Sequence, residues 1–107
     1  MKFIINYGCD GIGEEYLAIE ADSEGFALHY AEQSAIDYRE GYEGLHGVLD
    51  FAQFCEEQEC EMDDPDAEDA FYEMIQNEIT YYVETFDEEN ETHLDILEGC
   101  GGKFFEI

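Results

Sequence analysis

Between Glu56 and Glu73 the chain carries ten acidic residues in 18 positions, with no Lys, Arg or His among them. The acids are Glu56, Glu57, Glu59, Glu61, Asp63, Asp64, Asp66, Glu68, Asp69 and Glu73. Such a run opposes its own folding, because each like-charge pair at helical i,i+4 spacing costs roughly a few tenths of a kcal/mol. Only a segment whose apolar side is anchored to a core will hold these charges in a regular structure. The rest of the chain shares the bias: 3 Lys+Arg stand against 30 Asp+Glu, a formal net charge of -27. Charge alone would predict disorder, but disorder goes with few aromatic and apolar residues. Here 45% of residues are hydrophobic and 15% aromatic. The reading is one folded domain, residues 1–107, with a real core under an anionic skin.

The charge limits the partners. Direct nucleic-acid binding is not expected, because it needs cations that displace phosphate counterions. Anionic membrane surfaces are excluded for the same reason. A basic protein surface, reached through electrostatic steering, is the expected partner. The apolar start, Phe3-Ile4-Ile5, is too short for a secretory signal, and no run is long enough for a membrane span, so a cytoplasmic chain is expected. Cys9, Cys55, Cys60 and Cys100 allow several pairings. Without secretion they are read as reduced and used as small hydrophobes.

Taken in order, Lys2 to Tyr7 and Glu15 to Ala21 predict two strands in a hairpin, joined by a glycine-rich loop. The Gly8, Gly11, Gly13 spacing is not a dinucleotide fingerprint and reads as turn chemistry. Asp22-Ser23 offers a helix cap. Phe26, Ala27, Tyr30, Ala31, Ser34, Ala35 and Tyr38 then recur at helical spacing, and the helix ends near Arg39 to Gly41. A short second helix is predicted over Val48 to Gln58. Asp64 as cap and Pro65 at the first helical position open a third, with Ala67, Ala70, Phe71, Met74 and Ile75 as its apolar stripe. Thr80 to Phe86 reads as a strand. Asp87, Glu88, Glu89 and Glu91 form a second acidic patch on a loop, His93 to Leu97 one helical turn, and Phe104 to Ile107 a last strand. The order β-β-α-α-α-β-β predicts an α+β fold: a small, mostly antiparallel sheet of about four strands with about three helices packed on it.

Motifs for chemistry are sparse. Ser23 and Ser34 lie in helical contexts without a nucleophile elbow. With so many acids, close carboxylate pairs are inevitable and carry no catalytic signal, so no catalytic residue is assigned and a non-enzyme is expected. Cys55-x4-Cys60 matches part of the plant-type ferredoxin pattern, but Asp63 stands where the third ligand belongs. No C-x2-C suggests zinc, and no segment has the order of a calcium loop. No metal or cofactor is expected. His29 and His46 are isolated and read as ordinary side chains rather than ligands.

The acidic surface remains. If extended, Glu56 to Glu73 would carry one charge per roughly 6 Å; if helical, one per roughly 2.7 Å. Duplex DNA carries one per roughly 1.7 Å. Only a folded, largely helical display approaches the duplex. In size, scarcity of cations, lack of zinc motifs and acids spread over a foldable core, the chain resembles small acidic phage-encoded inhibitors that mimic DNA, of the anti-CRISPR and anti-restriction type. Separately, Glu15 to Gly47, with Glu20-Ala-Asp-Ser and Tyr42-Glu-Gly-Leu-His-Gly47, looks like small phage proteins, which implies no mechanism. The first resemblance implies action in the host cytoplasm on a basic nucleic-acid-binding protein, a CRISPR complex or a restriction enzyme. The acids of Glu56 to Glu73, with Asp87, Glu88, Glu89 and Glu91, would stand in for phosphates. Tyr72, Tyr81, Tyr82 and Phe86 are candidate aromatic anchors, although core packing claims most of them. The alternatives are an acidic interaction or assembly module for another basic protein, and a halophile-adapted domain with no charge-specific partner.

Overall fold

In the computed structural model, which describes all 107 residues, the first two strands form a hairpin, β1 (Lys2–Cys9) and β2 (Gly13–Glu20). They pair antiparallel from Lys2↔Glu20 to Cys9↔Gly13. The closed end requires glycine at position 8: a Cβ there would lie 2.3 Å from the Gly13 carbonyl oxygen. Three helices follow, α1 (Glu24–Glu40), α2 (Phe51–Gln58) and α3 (Pro65–Glu78). Strand β3 (Ile79–Thr85), helix α4 (Glu91–Gly99) and strand β4 (Phe105–Glu106) complete the chain. The sheet order is β3-β1-β2-β4, with β1 and β3 antiparallel and β2 and β4 parallel.

The α+β class is as expected, with two corrections of detail. The sheet is mixed, and there are four helices. Both have one cause. After β3 the chain does not turn straight back into a strand. It crosses through α4 and arrives alongside β2 running in the same direction, as a parallel neighbour must after a crossover. The single turn expected at His93 to Leu97 is a nine-residue helix. Asn90 starts it, its side chain accepting from the backbone N–H groups of Thr92 and His93. Glu91 therefore belongs to the first turn of α4 rather than to a loop. The last strand is also shorter than the expected Phe104 to Ile107 segment.

The other helices start where capping chemistry puts them. Ser23 accepts from Phe26 N–H at 3.1 Å, and Asp64 from Asp66 N–H at 3.0 Å, with Pro65 opening α3 as expected. Helix α2 starts later than Val48, at Phe51, because Asp50 and Gln53 close a reciprocal capping box. Val48 is buried in the connector.

Alternation along the strands gives the sheet two faces. Phe3, Ile5 and Ile19 meet Ala27 and Ala31 of α1 on the inner face. The row of α1 that reaches the sheet is Ala27, Ala31 and Ala35, continued at i+4 by Arg39, all 0% exposed. Small side chains let the helix approach closely. Phe26, expected in this stripe, is half exposed. On the outer face α4 packs over β2 and is tied to β3 by His93 Nε2 and Glu84 Oε2, 2.7 Å apart.

The core continues away from the sheet in two smaller clusters. One joins Ala35 to Ile75 and Ile79, the other Phe54 and Cys55 to Ala67. Ala70, expected inside, is exposed. Strung out in this way, the molecule measures 52 × 26 × 17 Å, with a radius of gyration of 16.4 Å. A compact chain of this length would have about 13 Å.

Candidate interaction surface

The acidic run is built on α2, α3 and the link between them. Glu56 and Glu57 lie in the last turns of α2, and Glu59 is its left-handed C-cap at φ 56°. Glu61, Asp63 and Asp64 occupy the link, while Asp66, Glu68, Asp69 and Glu73 lie on α3. Every one is exposed, and none forms an ion pair. The opposite side of the unit holds it to the core: Ala67 and Ile75 are buried, and Phe71 packs against Phe51 and Phe54 with ring centroids 5.3 and 5.4 Å apart. The charges are carried by structured backbone, as the apolar stripe implies.

Asp87, Glu88, Glu89 and Glu91 are also exposed but lie elsewhere. They follow the Thr85 end of β3, where Phe86 N–H donates to the Lys2 carbonyl, whereas α3 joins β3 at Ile79. Strand β3, seven residues and about 23 Å long, lies between the point where α3 enters the sheet and the point where the second group begins. The fold does not gather the two acidic groups into one patch. It places them on segments that enter β3 at one end and leave it at the other, with acids of other elements exposed between and around them.

The cations are as informative. Arg39, the only arginine, is wholly buried. Its Nε donates to Glu78 Oε2 at 2.7 Å, one Nη to Glu43 Oε1 at 3.1 Å, and the other to the Leu49 carbonyl at 3.0 Å. The guanidinium also stacks over Phe71, 5.5 Å from the ring centre. One residue thus joins α1, α3 and both ends of the connector before α2. Burial raises the Glu43 carboxyl above its ordinary range and outweighs the opposing pull of Arg39. The sequence places Arg39 only at the end of α1. The signal that places it inside is its i+4 register with Ala27, Ala31 and Ala35. The remaining cations, Lys2 and Lys103, flank Phe104, with the Lys2 ammonium 4.9 Å from its ring centre. No lysine or arginine offsets the exposed acids along the rest of the molecule.

A polar group missed in the sequence lies on the open end of the outer sheet face. Asn6 on β1 stands between Tyr16 on β2 and Tyr82 on β3. It is 1% exposed and donates to Glu14 Oε2 at 3.0 Å and to the Glu15 carbonyl. The Tyr16 hydroxyl donates to Glu14 Oε1 at 3.1 Å. Hydrogen bonding with Tyr82, and then with Glu14, pushes the Tyr16 phenol up to about 12. Asn6, Glu14, Thr80 and Tyr82 line an open concavity of about 620 Å³. Of the candidate anchors, Tyr72 and Tyr82 are exposed, while Tyr81 and Phe86 are half-buried.

No known protein family, curated protein or solved structure matches this chain. The four cysteines are free thiols, and no three His, Cys, Asp or Glu side chains converge as metal ligands. No helix is long and apolar enough to cross a membrane. The quantity that stands out is the whole-molecule charge per unit length. A net charge of -27 over a 52 Å axis is about one charge per 1.9 Å, against roughly 1.7 Å for duplex DNA.

Proposed function

We propose that the protein is a DNA-mimic inhibitor of the phage type. Working in the host cytoplasm, it occupies the phosphate-binding groove of a basic nucleic-acid-binding defence enzyme, a CRISPR effector complex or a restriction enzyme. The observation that carries this reading is the match in line charge between the 52 Å molecule and a duplex. Phosphate contacts supply much of the affinity of a nucleic-acid-binding protein, so carboxylates displayed at similar density compete for the same cations. Rigidity supports the reading: α3 is capped at Asp64 and anchored through Ala67, Phe71 and Ile75, so its acids are already ordered when a partner arrives.

Competition is the test. Titrated into complexes of duplex DNA with restriction enzymes and CRISPR effectors at about 0.1 M salt, the protein is expected to displace the DNA from at least one of them. Displacement should weaken steeply as salt rises. If it displaces DNA from none at that ionic strength, the proposal fails.

A further inference from the structure

Beyond its acidic skin, the molecule has a long bare sheet edge on β3. Strand β3 ends the sheet, paired only with β1. The hydrogen bonds at its two ends fix which groups face outward. Phe86 N–H donates to the Lys2 carbonyl, and Asp10 N–H to the Glu78 carbonyl. With the register Ile4↔Glu84, Asn6↔Tyr82 and Gly8↔Thr80, the even-numbered residues of β3 face β1. The backbone N–H and C=O groups of Tyr81, Val83 and Thr85 therefore point away from the sheet. They find no loop, turn or cap partner.

Natural edges are protected by lysine, proline, bulges or extreme shortness. Ile79-Thr-Tyr-Tyr-Val-Glu-Thr85 has neither lysine nor proline, and its pairing with β1 is continuous over all seven residues. At the opposite side of the sheet, β4 covers only Ile19 and Glu20 of β2. What guards β3 is net charge. A second copy arriving edge to edge would bring another -27 to a strand spacing of about 4.8 Å, well inside the screening length of about 8 Å at physiological salt. The same field attracts a cationic strand. Such a strand would lie near Glu32, which accepts from the Tyr81 hydroxyl, and would end near Asp87, Glu88 and Glu89.

The geometry points to β3 as a strand-addition site for an extended, lysine- or arginine-rich segment of the partner protein. Main-chain bonds to Tyr81, Val83 and Thr85 supply registry, and the acids supply selectivity against self-pairing. The basic character of the segment rests on the reading of the partner given above; the open edge does not.

Amide hydrogen exchange on the full chain tests this. The probe is a short capped peptide alternating lysine with valine, and the control is one of equal charge with its lysines separated by proline pairs, so that neither edge keeps consecutive N–H donors and no ladder can extend. At saturation the valine peptide is expected to slow exchange at Tyr81, Val83 and Thr85 by about tenfold or more, and the proline peptide to leave them unchanged. Thr85→Pro, at an exposed position whose N–H faces outward, removes one of the three outward donors and should reduce the difference between the two peptides. If both peptides bind equally and β3 exchanges as in the free protein, the edge proposal is overturned, while DNA displacement would still stand. Protection of β3 that grows with protein concentration alone would overturn it in favour of self-pairing. Loss of DNA displacement with β3 protection retained would strike the mimic reading only.

Discussion

Arg39 shows how strongly one residue can constrain an acidic chain. Three directional bonds reach Glu78, Glu43 and the Leu49 carbonyl from a side chain with no exposure. Removing it strands two carboxylates and a carbonyl at the junction of α1 with α3. Arg39→Ala is expected to cost about 3–5 kcal/mol, the range for breaking a buried pair from one side, measured as a shift in the urea midpoint. Arg39→Lys should recover only part of this, since a point-like ammonium cannot reproduce the fork. Glu43 gives a pH prediction. Burial raises its carboxyl above the ordinary 4.5, so the native state holds its proton more readily than the unfolded chain does. Its stabilising contribution is present below the unfolded value and is lost as pH rises through the raised native one. Thermal stability should therefore increase as pH falls from 7 toward the carboxylate range, and Glu43→Gln should flatten part of that rise.

Helix α3 was the most legible element, because Asp64-Pro65-Asp66 carries three start signals and the apolar spacing gives the inner face. Its cap can be separated from its charge. Asp64→Ala is expected to cost about 1 kcal/mol, whereas Asp64→Asn keeps the cap and should cost little while removing the same charge; calorimetric melting distinguishes them. Helix α4 was misread because its signals conflict: Asn90 is a good cap, but it sits among acids that resemble a loop. Its length is set by tertiary ties that no local pattern reveals, His93 to Glu84 and Phe86 stacked on His93 with centroids 6.0 Å apart. The parallel pairing of β4 was illegible for the same reason, since it depends on where α4 sets the chain down. The candidate acids themselves were fully legible as exposed, and their division between the segments entering and leaving β3 was not.

On the scale of the molecule, charge and shape act together. An elongated body spreads its carboxylates further apart than a sphere would, which lowers the repulsion that opposes folding. Raising salt from 0.01 M to 0.15 M shortens the screening length from about 30 to 8 Å, well below the 52 Å axis. The melting temperature is expected to rise over that interval and then level off. A chain that needs molar salt to fold would instead support halophilic adaptation as the reason for its charge. Composition gave the sign and size of the surface field. The line density emerged only with the fold, because it depends on three small apolar clusters being strung end to end.

The scarcity of cations also fixes how the molecule meets trypsin, which cuts only after lysine and arginine. Lys2 and Lys103 lie close to the chain ends, and the sole internal target, Arg39, is sealed inside the last turn of α1. Between Lys2 and Lys103 the native protein offers the protease no exposed site. A cut between Arg39 and Glu40 requires that region to open, so the appearance of two large fragments becomes a built-in reporter of unfolding. The same arrangement leaves the acidic helices and β3 with no tryptic site at all.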